Sequence, residues 1–139
     1  MSIAVIGKNG QLATELSRLS GAEVVLLERE EIDITSLESV RVVLTDLAPT
    51  SIINAAAYTA VDKAESDEAN ARLINATAVE HLATVAKELA IPLVHVSTDY
   101  VFNGDKGSPY LPDDEYEPLG VYGQTKAEGE QAISRIYPE

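Results

Sequence analysis

The stretch SIAVIGKNGQLATEL, residues 2 to 16, decides the fold. Ile3 to Ile6 form an unbroken apolar run that stops at Gly7, and after GKNG the leucines Leu12, Leu16 and Leu19 recur at helical spacing. That pattern is a buried strand, a tight glycine turn and an amphipathic helix. The rest of the chain repeats it. EVVLL (23 to 27) reads as a second buried strand, and EREEIDI (28 to 34) leaves it through charged residues into a short extended piece. TSLE (35 to 38) has the Ser/Thr-x-x-Glu form of a capping box and opens a helix to about Leu47, ended by Ala48 and Pro49.

SIIN (51 to 54) is short, apolar and β-branched, the composition of a central strand. From Ser66 to Ala90 the pattern is helical: Leu73, Val79, Leu82, Val85, Ala86 and Leu89 make an apolar stripe, with Asp67 and Glu68 in the first turn. Pro92 closes that helix and begins the strand PLVHVS. Asn103 to Pro118 carries glycine and proline punctuation and reads as a long surface loop, before a last helix from about Gly120 to Ile136. Strands alternating with helices give parallel pairing through right-handed crossovers, hence an α/β, doubly wound, Rossmann-like sheet. No strand follows the last helix to cover apolar VHVS, so the sheet is expected to be incomplete at its C-terminal edge. The whole of residues 1–139 reads as one dinucleotide-binding domain, the N-terminal part of something larger or one completed by a partner.

The composition is that of one globular domain: 139 residues, 45% hydrophobic and 24% charged. Without cysteine there is no disulfide framework and no thiolate metal site. The start, MSIAVIG, lacks the basic residues and longer apolar run of a signal peptide, and no later run is long enough to span a membrane. A cytoplasmic chain with no membrane partner is the expectation. The formal charge of −13 repels nucleic acid, so an anionic ligand must be attracted locally, by backbone N–H groups at a helix start and a few cations.

Gly7 and Gly10 stand where such N–H groups would lie, with Ala13 as the third small residue of a Gly-x-x-Gly-x-x-Ala turn. At the end of the second strand Glu28 is placed to hold a ribose hydroxyl and Arg29 to neutralise a 2′-phosphate, two signals that point to different cofactors. Asp33 and Ile34 come next, near enough to edge an adenine, although Asp33 could equally cap the helix after it. In NAAAYTAVDKAE (54 to 65) three alanines leave room for a ligand crossing the strand ends. Asn75, a poor helix former inside a helix, would satisfy buried backbone groups. His81 and His95 have no spaced partner, and no metal is expected.

VYGQTK (121 to 126) puts Tyr122 and Lys126 on one helix face, where an ammonium lowers a phenol's pKa toward usefulness as a proton donor, unless the lysine stem only covers the ring. STDY (97 to 100) places Thr98 at a strand's C-terminal end, able to donate to a carbonyl oxygen or simply to end the strand.

Taken together, GKNGQL, the Asp-Ile pair, NAAAYTAVDKAE, LINATAVEHLA, HVSTDYVFNG and VYGQTKAEGE resemble the extended short-chain dehydrogenase/reductases, and among them the dTDP-4-dehydrorhamnose reductases, from Met1 to about Ala132. The resemblance implies Tyr122 as proton donor and acceptor, Lys126 as its tuner and a ribose contact, and Thr98 with Asp99 at the substrate carbonyl. It implies Gly10, Gln11 and Leu12 along a pyrophosphate, Asp33 and Ile34 at the adenine, and Ala57, Tyr58 and Thr59 on the far side of NADP(H) or NAD(H). The implied reaction reduces the C4 ketone of a nucleotide-sugar, dTDP-4-dehydro-L-rhamnose, and the family admits a homodimer, in part bridged by a metal through a first-helix glutamate at the position of Glu15. It also implies a substrate domain beyond residue 139. A second reading, by likeness to the regulatory subunit of methionine adenosyltransferase, is a non-catalytic NADP-binding module.

Overall fold

The computed structural model describes residues 2–18 and 23–138. Four strands, β1 (Ser2–Ile6), β2 (Glu23–Leu27), β3 (Ser51–Asn54) and β4 (Leu93–His95), form one parallel sheet in the order β2-β1-β3-β4. The strand order reverses between β1 and β3, the switch point of a doubly wound sheet. Helix α1 (Gln11–Arg18) connects β1 to β2, α2 (Leu37–Leu47) connects β2 to β3, and a longer helical passage leads to β4. Leu19, the third leucine of the first helical pattern, lies outside the described residues.

The core sits where Ala4, Ile6 and Ile52 meet Val40 and Leu44 of α2 and Leu82, Val85 and Ala86 of the passage, all buried. The opposite face is covered unevenly. Val5, Ile53 and Val94 are register partners across three strands and point the same way. Val5 is fully buried, whereas Val94 is 53% exposed. The open C-terminal edge expected from VHVS is therefore present, although β4 is only three residues long. No helix among the described residues is long and apolar enough to cross a membrane.

Local chemistry departs from the sequence reading in four places. EVVLL is an edge strand, exposed at Glu23, half-buried from Val24 to Leu26 and buried only at Leu27, because no strand among the described residues pairs with its outer side. Residues 28–36 hold no strand: Glu31 and Ile32 N–H groups both return to the Glu28 carbonyl, so Asp33 and Ile34 follow a turn. The cap of α2 is Ser36, not Thr35, since the Thr35 hydroxyl donates to Asp33 Oδ1 at 2.6 Å and Ser36 Oγ accepts from the Ser39 N–H. The Ser66–Ala90 helix is interrupted: α4 (Glu68–Arg72) runs into a π-turn at Leu73–Thr77 and then α5 (Ala78–Leu89), with a short α3 (Val61–Ala64) before it. The inserted residue turns Leu73 out of the apolar stripe, leaving it 37% exposed.

Helix α6 (Val121–Ile136) packs on α5 and the π-turn through Gly129, where a methyl group would lie 2.2 Å from the Asn75 carbonyl oxygen. Alanine normally stabilises an exposed helix interior by about 1 kcal/mol over glycine. Here the clash wins, and Gly129→Ala is expected to destabilise the fold by about 1–3 kcal/mol, read as a lowered urea midpoint with the slope unchanged.

Candidate active site

The C-terminal ends of β1 and β3 come together at one cramped point. Gly7 has φ +99°, and a Cβ there would sit 2.9 Å from the Ala56 backbone nitrogen, so glycine is required twice over. The Gly10 N–H closes the turn on the Gly7 carbonyl at 3.0 Å, and Thr14 returns both its N–H and its hydroxyl to the Gly10 carbonyl. The loop after Asn54 approaches this turn through the backbone of Ala55 and Ala56.

Above this point lies a cavity of about 790 Å³, large enough for a dinucleotide-sized ligand. Of the residues singled out in the sequence, Gly7, Gly10, Arg29, Asp33, Ile34, Ala57, Tyr58 and Thr59 line it. Gln11 and Leu12 begin α1 beside it without lining it, and Leu12 is 41% exposed. Glu28 lines it too, and its Oε2 is buried with no hydrogen-bond partner among the described residues. An orphaned carboxylate oxygen in a cavity wall is an acceptor waiting for a hydroxyl donor, which fits a ribose. The glycine cradle fits a pyrophosphate. Asp33 is both cavity wall and local organiser, its carboxyl held below the usual carboxylate range by the Thr35 hydroxyl and N–H.

Thr98, Asp99, Tyr122 and Lys126 lie outside the cavity lining, as a second group at the end of β4 and the start of α6. Thr98 caps the 3₁₀ turn Asp99–Val101 by accepting from the Tyr100 N–H at 3.2 Å, and its hydroxyl donates toward Asp99 Oδ1 at 3.3 Å. Tyr122 is half-buried, its ring edge-on to Tyr100 with centroids 5.6 Å apart. Lys126 is 2% exposed. Its Nζ donates to the Val96 carbonyl at 2.6 Å and meets His95 Nε2 at 3.3 Å, and no hydrogen bond joins it to Tyr122. Burial pushes its pKa down, against the upward pull of Glu130 one turn away.

Asn75 connects the two groups. Its Oδ1 accepts from the Tyr58 N–H at 2.8 Å and its Nδ2 donates to the Tyr58 carbonyl at 3.1 Å and to Thr125 Oγ1 at 3.1 Å. The π-turn aims this amide at the cavity wall. Three further residues support the site and carried little signal in the sequence. Glu65 accepts from the Val121 N–H at 2.8 Å and sets the start of α6, a carboxylate at a helix N-terminus. Glu130 accepts from the hydroxyls of Ser97 and Tyr116. His95 stands between Asn54 and Lys126, a contact between two strands and a helix that no local spacing encodes. His81, by contrast, binds only the Ile34 carbonyl, at 3.0 Å. Among the described residues no cluster of His, Asp and Glu is arranged to hold a metal.

A family model described as the RmlD substrate binding domain matches residues 1–139. A dTDP-4-dehydrorhamnose reductase of Sinorhizobium fredii is 43% identical over 140 residues, which are 99% of this chain and 47% of that protein. The crystal structure of a dTDP-4-dehydrorhamnose reductase from Clostridium acetobutylicum superposes with a TM-score of 0.94 at 37% identity, over 99% of this chain and 50% of that one. That of the Bacillus anthracis reductase in complex with NADP has a TM-score of 0.94 at 33% identity, over 97% of this chain and 49% of that one. The chain thus spans about half the length of the curated relatives it matches.

Burial holds the His95 pKa down, from an ordinary 6.5 to about 4, with the Lys126 charge a smaller cause. Between these values the unfolded chain binds a proton that the folded chain refuses, so this contribution to stability is complete above pH 6.5 and is lost as pH falls toward 4. The loss reaches up to about 3 kcal/mol. Urea midpoints measured across that window are expected to fall less steeply in His95→Gln than in the parent.

Proposed function

The chain belongs to the RmlD substrate binding domain family, and from that membership we propose that it is the cofactor-holding and proton-donating part of a nucleotide-sugar ketoreductase. The reaction is reduction of the C4 ketone of dTDP-4-dehydro-L-rhamnose to dTDP-L-rhamnose, as the names of its relatives suggest. The family description speaks of substrate binding. The features of this stretch with a physical reading are a dinucleotide cradle and, next to it, a hydroxyl-bearing reacting end.

NADP(H) is the cofactor supported by the Bacillus anthracis relative's complex and by Arg29 in the cavity wall, while the orphaned Glu28 oxygen supports NAD(H) as well. Bound there, the dihydronicotinamide supplies a hydride. Gly7, Gly10 and the start of α1, with Gln11 and Leu12, offer backbone N–H groups to the pyrophosphate. Asp33 and Ile34 edge the adenine, and Ala57, Tyr58 and Thr59 wall the other side. Tyr122 gives its proton to the ketone oxygen as negative charge develops on it, and Thr98, beside Asp99, donates a hydrogen bond to the same oxygen. Lys126 acts on Tyr122 through its field rather than by contact, and contributes to holding the cofactor's ribose.

The observation that carries this reading is the Asn75 clamp, which fixes the cavity wall at Tyr58 to the helix of Tyr122 and Lys126. The open apolar edge at Val94 and Val96 supports a domain arrangement in which residues 1–139 are the cofactor domain and further chain completes the sheet and the sugar site. The setting is the cytoplasm, where reduced nicotinamide cofactor is present, and a homodimer is the expected assembly.

In the intact enzyme Tyr122→Phe is expected to lower kcat by roughly 100-fold or more with NADPH affinity unchanged. Thr98, Tyr122 and Lys126 would be idle in a non-catalytic NADP-binding module. If the phenylalanine variant reduced the dTDP-4-ketosugar at the parental rate, the catalytic assignment of Tyr122 would fail, and if the parent bound NADPH without reducing any dTDP-4-ketosugar, the module reading would replace this one.

A further inference from the structure

Leu73 is a large apolar side chain left 37% exposed at the start of the π-turn. A lone exposed leucine on a convex surface is ordinary. This one is elsewhere: of the large apolar side chains exposed among the described residues, Leu73 alone lines the cavity of about 790 Å³. Its backbone is held firmly, since the Leu73 N–H is shared between the Ala69 and Asn70 carbonyls and the Leu73 carbonyl accepts from the Ala78 N–H five residues on. One helical irregularity therefore has two consequences. It carries the Asn75 amide that clamps Tyr58, and it presents Leu73 to the space beside that clamp.

Ile34 lines the same cavity from the segment between β2 and α2. That segment is fastened as well. The Asp33 N–H donates to Ser39 Oγ at 3.0 Å, the Ser36 N–H returns to the Asp33 carbonyl at 3.1 Å, and His81 Nδ1 lies 3.0 Å from the Ile34 carbonyl. A carbonyl can only accept, so this ring nitrogen carries the hydrogen and donates it. His81 belongs to α5, which continues the π-turn, so the wall at Ile34 is tied to the helical passage that carries Leu73. The polar groups near Leu73 on that passage are engaged with one another: Asp67 accepts from the Tyr58 hydroxyl at 3.0 Å and from the Asn70 amide at 2.7 Å. Leu73, Ile74 and Ile34 are left as apolar surface in the cavity wall.

The place of the cavity says which part of a dinucleotide would meet that surface. No residue of β4 or α6 lines it, and β2 lies at the opposite edge of the sheet from β4. Thr98 and Tyr122 stand at the end of β4 and the start of α6, so the nucleotide held on the β2 side is the one remote from hydride transfer. Its apolar part is the flat purine ring. We propose that Leu73 is a binding residue for the adenine base, its side chain and Ile34 forming an apolar slot for the ring, with the π-turn as the device that presents it. The proposal rests on the dinucleotide reading of the cavity and adds a residue from the helical wall.

The test is cofactor binding in the intact enzyme without ketosugar. Equilibrium titrations with NADPH and with ADP-ribose, which lacks the nicotinamide, are compared in parent and variants. Leu73→Ala is expected to weaken both by the same factor, roughly fivefold or more. Its urea midpoint should not fall, because the lost side chain is partly exposed and alanine is the better helix former. Leu73→Met, apolar and of similar volume, should bind both ligands within about twofold of the parent. In methyl-labelled parent protein, intermolecular NOEs are expected between the Leu73 methyl groups and the adenine H2 and H8 protons of bound ADP-ribose, which decides the matter alone should a variant not fold. A parent that bound neither ligand would remove the dinucleotide reading and this proposal with it. In a parent that binds both, a Leu73→Ala of parental affinity, a loss confined to NADPH, a urea midpoint lowered as by loss of a core leucine, or the absence of those NOEs would each overturn the proposal and leave the dinucleotide reading standing.

Discussion

One side-chain amide holds the functional half of this molecule together. Asn75 donates to and accepts from the backbone of Tyr58 and donates to Thr125, so a single residue satisfies the loop after β3 and fastens it to α6. The cost of leaving such buried groups unpaired is about 1–3 kcal/mol each, which makes the amide hard to replace by any apolar residue of similar size. It lies within a π-turn, and the missing side chain of Gly129 lets α6 pass close to the Asn75 carbonyl. Cavity wall, helical irregularity and the helix with Tyr122 and Lys126 are thereby one mechanical unit.

Electrostatics in this acidic chain are arranged locally rather than by net charge. A formal charge of −13 would keep a dinucleotide away at long range. The cradle answers with uncharged donors, the N–H groups of the glycine turn and of the start of α1, which do not depend on the sign of the surface. Lys126, on the helix of Tyr122, is withdrawn from solvent and turned toward the end of β4. Withdrawal lowers its hold on a proton, and that is a property of the packed state alone.

The strand-turn-helix of residues 2 to 16, the parallel order and the glycine cradle were legible because each rests on neighbours in sequence: an apolar run, a residue without Cβ, a period of helical spacing. The same local logic failed where tertiary contacts decide. The extended piece expected between Glu28 and Ile34 is replaced by a turn ahead of Asp33, because the Glu28 carbonyl draws back the N–H groups of Glu31 and Ile32. Thr35 lost the capping role to Ser36 because Asp33 took its hydroxyl. Leu73 fits an apolar stripe by spacing but faces the cavity, since the π-turn advances the helix by a fraction of a turn.

The sequence by itself determined the α/β class, the place of the glycine turn between β1 and α1 and the identity of the hydroxyl, phenol and amine that could do chemistry. Only the tertiary structure decided what those groups touch. Tyr122 and Lys126 share a helix face by periodicity, yet Lys126 bonds to Val96 and His95, and His95 to Asn54, across three separate elements. Periodicity reports which side of a helix a residue is on. Which carbonyl or ring nitrogen waits there is set by how strands and helices pack, where an unpaired polar group is costly enough to choose its own partner.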